Sequence, residues 1–358
     1  MKETETMYDC YLSQFDCLQR LLDNREALLA GFAGYFSKTN PDRIYLVGSG
    51  TSHNACRAAA VYIEDMTKLE VTATPPTNLK NLYGERPLVV AVSQSGRSTN
   101  TQDMVRALVS AGTPVITLTD PKNTPVSQVG SFPMWIQADD EKIGPKTRGY
   151  MATALTLYLM ALEIGKLNGH LTDAAYDNEI SKFDKMIKSG KTYMDTCSSF
   201  YEKYEQQLFK AQYYMFTGKG AAGNVAEESA LKVLETVCCP AMGYEYEEFL
   251  HGPACCATKD LAVFLFLCED EDKPRMIKTA KILDEVTENC YIVSHDAAIQ
   301  GEKVLYLPCE SAEIMSPFTD VLIGQLISAV VPGKLGISRH SAVHDIFNAM
   351  DTKVKLEA

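Results

Sequence analysis

A run of hydroxyl-bearing residues from Ser93 to Thr99 has the composition of an anion-binding loop. It directly follows the apolar run 87–92 and precedes a helical pattern over 102–109. This order predicts a strand, a tight loop and a helix. Such a turn directs backbone N–H groups and the positive end of a helix dipole at one point. The hydroxyls add neutral donors, and Gly96 allows a close backbone approach, so the loop is a candidate site for a phosphate monoester.

The same loop has no lysine of the kind that a nucleotide-binding P-loop carries. This absence favours a sugar phosphate over ATP as the ligand. The competing interpretation is that 93–99 is a polar connector without a ligand. We favour the anion site, because connectors seldom have so many hydroxyl groups directly after a buried strand.

The chain as a whole is acidic and has enough apolar residues for two ordinary domains. It has 358 residues, of which 46% are hydrophobic, and a formal net charge of −12. With no basic cluster, this charge argues against nucleic acid and anionic membranes as partners. We expect no apolar run to approach the length of a membrane span, the nearest being 321–332, and the polar N-terminus is not a secretion signal. We therefore expect a cytoplasmic protein.

Eleven cysteines are scattered through the predicted helices and strands. Their odd number and scatter fit reduced thiols that act as small hydrophobic side chains in a cytosol. The pairs Cys238-Cys239 and Cys255-Cys256 are vicinal, whereas a metal site needs spaced Cys-x-x-Cys pairs. We expect neither a metal nor a cofactor.

Strand patterns recur in the same order in both halves of the chain, offset by roughly 170 residues. The segments 43–50, 88–92, 114–120 and 131–136 correspond to 214–220, 261–267, 290–296 and 303–307. They alternate with helical patterns such as 52–62 and 224–236, which predicts parallel sheets built from βαβ units. We predict an α/β fold with two flavodoxin-like domains, each a parallel sheet flanked by helices, related by internal duplication.

The predicted domain organisation follows from these patterns. Residues 1–36 form an N-terminal helix, 37–170 the first domain, 171–205 linking helices, 206–340 the second domain, and 341–358 a tail that contributes to the site.

The two halves have diverged in a way that assigns them different roles. Where the first half has Ser93 to Arg97, the second has four carboxylates within 268–272. These would repel a phosphate, so we expect one phosphate per chain. The second half instead holds ionisable groups: Glu235 near the end of a helical pattern, and His251 just before Gly-Pro.

Four motifs together resemble the tandem sugar-isomerase (SIS) domain family. They are Gly-Ser-Gly-Thr-Ser at 48–52, Ser-Gln-Ser-Gly at 93–96, Ala-Leu-Lys-Val-Leu-Glu at 230–235 and His-Gly-Pro at 251–253. The resemblance runs from about Arg43 to the C-terminus. In particular, it points to the isomerase half of glucosamine-6-phosphate synthase and to the stand-alone fructosamine-6-phosphate deglycases and amino-sugar-phosphate deaminases.

The resemblance implies a set of substrate-binding residues. Those that would hold the phosphate are Ser93, Gln94, Ser95 and Ser98. Those that would contact the sugar or phosphate are Gly50, Thr51, Ser52 and Thr147.

The resemblance also implies three catalytic residues. Glu235 would move a proton between C1 and C2, and His251 would assist ring opening. In relatives this histidine is often supplied by the neighbouring subunit, which implies a homodimer or higher homo-oligomer with sites at the interface. Lys353 is the nearest candidate for the family's C-terminal lysine, although a straight alignment puts Asp351 near that position.

The catalytic candidates also have plain structural interpretations. Glu235 could be an exposed helix carboxylate in a surface ion pair with Lys232, three residues before it. His251 could be a turn residue that hydrogen-bonds to the backbone. The joint pattern favours the functional interpretation. Four other histidines are given no catalytic role: His53, His295, His340 and His344.

The chemistry implied is the interconversion of an aldose and a ketose that carry an amino group. It removes a proton next to an imine or carbonyl, for which one carboxylate can serve as base, and the remote phosphate supplies positioning energy. The first forty or so residues hold no counterpart of the synthase's glutaminase domain, so we expect the catabolic direction, with release of amine or ammonia. Deglycation of a 6-phosphorylated ketosamine and deamination of glucosamine 6-phosphate are the leading alternatives. A simple aldose–ketose phosphosugar isomerase and a non-catalytic phosphosugar sensor are the others.

Overall fold

The computed structural model describes residues 5–337, 350 and 352–354. Within these residues the chain divides into two units, each built on one sheet. The first unit contains residues 16–183 and the described part of the C-terminal tail. The second contains residues 5–15 and 184–337.

The first unit holds a parallel sheet of five strands. These are β1 (Arg43–Val47), β2 (Glu70–Thr74), β3 (Pro87–Val92), β4 (Val115–Thr119) and β5 (Phe132–Trp135). Their order is β2-β1-β3-β4-β5. The helices up to the second sheet are α1 (Met7–Asp23), α2 (Arg25–Leu28), α3 (Phe32–Thr39), α4 (Thr51–Thr67), α5 (Thr99–Ser110), α6 (Pro125–Val129), α7 (Arg148–Leu167), α8 (Asp173–Lys188) and α9 (Gly190–Lys210).

The second unit repeats this plan. Its strands are β6 (Tyr213–Gly218), β7 (Ala241–Glu245), β8 (Leu261–Phe266), β9 (Cys290–Ser294) and β10 (Val304–Tyr306), in the order β10-β9-β8-β6-β7. Its remaining helices are α10 (Ala221–Thr236), α11 (Tyr246–Leu250), α12 (Lys273–Asp284), α13 (Ala312–Thr319) and α14 (Val321–Lys334). Read in reverse, the order matches the first sheet strand by strand. The predicted α/β fold with two duplicated parallel-sheet domains is confirmed.

The inner strands form because their apolar runs are covered on both faces, as in parallel sheets generally. Every residue of β4 and β8 is buried. The sequence analysis missed the edge strands β2 and β7, which are mostly half-exposed and contain polar residues or glycine. Each completes its sheet beside the first strand of its unit.

The N-terminal segment differs from the single helix that we expected. The structure has three helices there, which are interrupted at Asn24 and again at Leu29–Gly31. Gly31 has a φ of 79°, a left-handed conformation that favours glycine and ends the continuous helix.

The expectation that no segment approaches the length of a membrane span is wrong. The stretch Ala312–Lys334, which combines α13 and α14, is 23 residues long and apolar enough to cross a membrane. However, 83% of its most apolar window is buried inside the protein, and α14 packs against α9 and α10. The core helix of a globular domain has the same properties.

Several residues named in the sequence analysis lie outside the described ones. They are His340, His344, Asp351 and most of the predicted tail 341–358.

Candidate active site

The loops after β1 and β3 meet at the carboxyl edge of the first sheet. These two strands are neighbours, while β2 lies on the far side of β1, so the strand order reverses between them. Ligands of open α/β sheets bind in the crevice at this switch point. Two hydrogen bonds join the loops here: Gln94 N donates to Ser52 Oγ (3.4 Å), and Asn100 Nδ2 donates to Ser49 Oγ (3.0 Å). The structure thus brings the two predicted substrate-binding segments together.

The loop 93–98 forms a tight turn whose shape depends on Gly96. Gly96 N donates to Ser93 O (2.8 Å), and its φ of 64° is left-handed. A Cβ at this position would lie 2.2 to 2.5 Å from the side chain of Thr124. Ser93 Oγ donates to Ser98 Oγ (3.2 Å), which holds both hydroxyls at the start of α5. Because Ser98 does not cap α5 with its side chain, its hydroxyl can serve a ligand.

The loop after β1 presents a second helix N-terminus at the same crevice. Gly50 precedes α4 with φ 56° and ψ −132°. Thr51 and Ser52 begin the helix and are buried. Since α4 and α5 both start at the switch point, two helix dipoles favour an anion there.

The described part of the C-terminal tail is attached to the loop 93–98, here called the serine loop, and to the residue that follows it. Val354 N donates to Arg97 O (2.8 Å), and Thr99 N donates to Thr352 O (3.3 Å). This antiparallel pairing sets Lys353 opposite Ser98. The structure therefore places Lys353 at the predicted site, where the sequence offered it only as the nearest candidate.

Thr147 is fully buried at the start of α7 and bonds to a carboxylate that sequence reasoning missed. Its N (3.0 Å) and Oγ1 (2.9 Å) both donate to Glu141 Oε1, and Gly149 N donates to Oε2 (2.9 Å). Glu141 thus caps α7 from within the preceding loop. Its position six residues before Thr147 is not the spacing of a capping box, so no local signal predicts this role. The hydroxyl of Thr147 is engaged by this cap.

Glu235, the predicted base, lies on α10 beside a buried lysine. Lys232 Nζ is 2.5 Å from Glu235 Oε2 and 3.5 Å from Glu228 Oε1. The side chains of Lys232 and Glu228 are 0% exposed, whereas that of Glu235 is 37% exposed. The alternative of a surface ion pair is therefore wrong for Lys232. A lysine is buried only where carboxylates compensate its charge, so the pair orients Glu235 with one side open to solvent.

His251 ends α11 and is exposed. Its backbone N donates to Glu247 O (3.1 Å). His251 thus lies in a turn that its backbone holds, while the imidazole makes no hydrogen bond to any residue that the structure describes. The ring is available to a ligand or to another subunit.

The equivalent switch point of the second unit is occupied by the protein's own charges. Gly220 has nearly the same backbone angles as Gly50, φ 59° and ψ −126°. Lys219 Nζ then donates to Asp270 Oδ2 (2.6 Å) and Asp272 Oδ2 (2.5 Å), two of the carboxylates that replace the serine loop. The hydrogen bonds from Cys268 and Lys219 lower the pKa of Asp270 to about 2. Fixed carboxylates therefore stand where the first unit has hydroxyl donors.

All eleven cysteines lie among the described residues, and each is a free thiol. Across residues 5–337 and the described tail, no group of three or more histidine, cysteine or acidic residues is arranged to hold a metal ion.

Comparison with known families gives a match over most of the chain. The family model of the SIS domain matches twice, at residues 39–163 and 207–331. Each match includes one of the two sheets.

Relatives with assigned functions match over part of the chain. Glutamine–fructose-6-phosphate aminotransferase [isomerizing] from Streptococcus agalactiae serotype V is 29% identical over 217 residues, which cover 59% of this chain and 35% of the relative. The chain thus matches about a third of that protein's length.

Solved structures match along almost the whole chain. A protein from Clostridium difficile 630, provisionally assigned as a phosphosugar isomerase, is 25% identical with a TM-score of 0.90, over 99% of this chain and 100% of that one. Glucosamine-6-phosphate deaminase from Thermotoga maritima is 19% identical with a TM-score of 0.72, over 92% and 96% of the two chains. At that identity the second likeness shows the fold alone.

Proposed function

Because the chain belongs to the SIS domain family, we propose that it is a phosphosugar isomerase that works as a deglycase or deaminase. It moves a proton between C1 and C2 of a 6-phosphorylated amino sugar or ketosamine, and water then releases an amine or ammonia. Two of the relatives named above support a sugar 6-phosphate as substrate, since their names specify fructose 6-phosphate and glucosamine 6-phosphate.

The observation that carries this proposal is the contact between Glu235 and the buried Lys232. A carboxylate held 2.5 Å from a fixed ammonium, yet 37% exposed, has a defined orientation and can be reached by a substrate. General-base catalysis needs such a positioned group within hydrogen-bond reach of the proton it takes. The family resemblance assigns this role to the same residue.

For a ketosamine, the proposed reaction conserves every atom. Glu235 takes a proton from C1, which forms an enaminol, and returns a proton to C2, which gives the imine of the aldose. Water adds to the imine carbon and the amine leaves, so the products are an aldose 6-phosphate and the free amine. For glucosamine 6-phosphate the proton moves from C2 to C1, and the products are fructose 6-phosphate and ammonia.

The remaining predicted residues take supporting roles. The serine loop binds the phosphate through its hydroxyls and the N-terminus of α5, and Lys353 is held beside this loop, opposite Ser98. Phosphate binding supplies energy remote from the reacting carbons. His251 transfers the ring-oxygen proton, for which an imidazole suits neutral pH. We propose that the protein acts as a homo-oligomer in the cytoplasm.

The experiment that tests this proposal identifies the products. Pure protein is incubated with fructoselysine 6-phosphate and, separately, with glucosamine 6-phosphate, and each reaction is followed by NMR. Glucose 6-phosphate with free lysine establishes a deglycase, and fructose 6-phosphate with ammonia establishes a deaminase. If neither compound is converted, the proposed chemistry is wrong and the non-catalytic sensor becomes the better account.

A further inference from the structure

A cavity of about 370 Å³ opens at the carboxyl edge of the first sheet, on the side of β4 and β5 away from the β1–β3 crevice. It starts at Gln94 and Ser95 of the serine loop and extends to the loops after β4 and β5. Lys353 also lines it. A ligand whose phosphate sits on the serine loop therefore has this cavity beside it.

The cavity is lined by more cationic than anionic side chains, although the chain as a whole has a net charge of −12. The cationic ones come from four separate segments: Arg97, Lys122, Lys142, Lys146 and Lys353. The carboxylates are Asp120, Asp140 and Glu141.

The three carboxylates are already engaged by the protein. Glu141 accepts three hydrogen bonds from the start of α7. Asp120 Oδ1 accepts from Ala138 N (2.6 Å), and Asp140 pairs with Lys142. They are therefore poorly placed to neutralise the remaining cations.

The remaining ammonium groups have few counter-charges. Lys146, half-buried, donates to the backbone O of Glu141. Lys122 lies over the ring of Trp135 at 5.8 Å, and neither Lys122 nor Lys353 contacts a carboxylate in the described part of the chain. Burial lowers the pKa of Lys146 and the Lys353 ammonium lowers it further, although the carboxylates Glu141, Asp120 and Asp140 oppose this effect. An anion that enters the cavity between these two ammonium groups favours the charged form of both.

We propose that this cavity is a carboxylate subsite, in which Lys146 and Lys353 bind the acid group of an amino acid joined to the phosphosugar. The inference rests on the proposed function and specifies its substrate as a ketosamine phosphate with a carboxylate on its amine portion. Glucosamine 6-phosphate and fructose 6-phosphate have no anion besides the phosphate, which the serine loop already binds. Only a substrate with a second anionic group makes use of these lysines.

The test compares matched pairs of ligands that differ only in this charge. Fructosamine 6-phosphates are made from glycine and from 6-aminohexanoic acid, each as the free acid and as the uncharged amide. Dissociation constants are measured by calorimetry, and released amine is quantified in parallel. The proteins are the wild type, Lys146→Met, Lys146→Arg and, as control, Lys80→Met, which changes an exposed lysine outside the cavity.

We expect the wild type and Lys80→Met to bind the free acid more tightly than the matching amide, for at least one of the two amino acids. The difference in dissociation constant should be about tenfold or more, which is typical of one charge-assisted hydrogen bond. Lys146→Met should lose this preference without weakening amide binding, and Lys146→Arg should keep most of it. The comparison in the wild type stands even if a variant fails to fold.

The outcomes separate this inference from the proposed function. If acid and amide bind equally in both pairs while amine is released, the carboxylate subsite is refuted and the reaction stands. If the preference depends on Lys146 but no amine is released, the subsite stands and the reaction is refuted. If no compound binds more tightly than fructose 6-phosphate does, the subsite is refuted.

Discussion

Lys232 and Glu235 lie one turn apart on α10 and yet have different surroundings. Lys232 has no exposed surface and also neighbours the buried Glu228, 3.5 Å away. Removal of one partner from a buried ion pair leaves the other charge uncompensated, which costs about 3 to 5 kcal/mol. Lys232 is therefore both a structural residue and the group that orients the proposed base.

We predict that Lys232→Met lowers the free energy of unfolding by about 3 kcal/mol and reduces kcat strongly, because Glu235 loses its fixed partner. Denaturant unfolding and steady-state kinetics measure the two effects. The double variant Glu228→Gln/Lys232→Met removes the stranded carboxylate as well. It should recover much of the stability but not the activity. Recovery of kcat together with stability would show that Lys232 does not position Glu235.

For single residues, the sequence reveals which chemical groups lie together along the chain, but it does not reveal how buried each side chain is in the fold. The serine loop was recognisable because hydroxyls and glycine after a buried strand are themselves the signal. The burial of Lys232 could not be recognised from the sequence, because a lysine and a glutamate three residues apart have the same spacing on an exposed helix and on a buried one. Glu141 and Lys146 lie in a loop whose path depends on contacts with distant residues, and no local pattern reveals them.

Among the elements, the short segment 352–354 has an unusually specific position. Its pairing with the serine loop uses the backbone N–H of Val354, which donates to Arg97 O at 2.8 Å. Backbone bonds of this kind fix the register, and the register places Lys353 opposite Ser98.

We predict that Val354→Pro reduces activity about as much as Lys353→Met does, because proline has no N–H to pair with Arg97. Val354→Ala keeps the N–H and should retain near-wild-type activity. Steady-state kinetics of the three variants check this. Full activity in Val354→Pro would mean that the pairing does not hold a functional lysine.

A second element-level feature is a buried histidine that links β9 to the junction of α13 and α14. His295 Nδ1 donates to Leu307 O (2.6 Å), and Nε2 lies 2.7 Å from Asp320 Oδ1. Burial lowers the pKa of His295, but the charge and hydrogen bond of Asp320 outweigh it, helped by Leu307 O and Glu269, so the pKa is raised. Since a carbonyl and a carboxylate can only accept, both ring nitrogens donate in the charged form.

The sign of the pH effect follows from this raised pKa. The extra stability is fully present below the unfolded pKa of about 6.5 and is lost as pH rises through the folded pKa. We predict that His295→Gln is destabilised at pH 6 by about 1 kcal/mol or more, as expected for a lost hydrogen bond to a charged group, and that this difference shrinks towards pH 9. Denaturant titrations of both proteins measure it, with the exposed His170→Gln as control. A difference that is constant or grows with pH contradicts the account.

Some strands of this fold can be predicted from sequence patterns and others cannot. The buried strands could be predicted because strands covered on both faces have continuous apolar runs. The strands β2 and β7 could not be predicted in this way. Each pairs with only one neighbouring strand, so β2 can contain Glu70 and β7 can contain Gly243 without a continuous apolar run. Tertiary pairing, not composition, makes them strands.

At the scale of the whole molecule, one fold occurs twice in the described part of the chain, with different side chains at the two switch points. Gly50 and Gly220 keep nearly identical backbone angles, so both switch points retain their shape. In the second unit, however, Lys219 is held by Asp270 and Asp272. The two units share one architecture, but the first has neutral hydroxyl donors at its switch point and the second has carboxylates.

We predict that each chain binds one phosphosugar phosphate, at the first unit only. Calorimetric titration with fructose 6-phosphate should give one site per chain, and Ser93→Ala/Ser98→Ala should weaken binding about thirtyfold or more, since each lost hydrogen bond to the phosphate contributes about 1 kcal/mol or more. The matched control Ser199→Ala/Thr196→Ala alters hydroxyls on α9 that bond only to the helix backbone. Two equivalent sites would refute the divergence of the halves.

The most direct test of the central claim follows the proton itself. The reaction of a ketosamine 6-phosphate is run in deuterium oxide with the wild type and with Glu235→Gln, and the product is examined by NMR. The wild type should form the aldose 6-phosphate with deuterium at C2 in the fraction of turnovers in which the proton on Glu235 exchanges with the solvent before it is returned. Glu235→Gln should bind fructose 6-phosphate as the wild type does, yet neither exchange nor convert the substrate. Exchange by Glu235→Gln at the wild-type rate would contradict the assignment of Glu235 as the base.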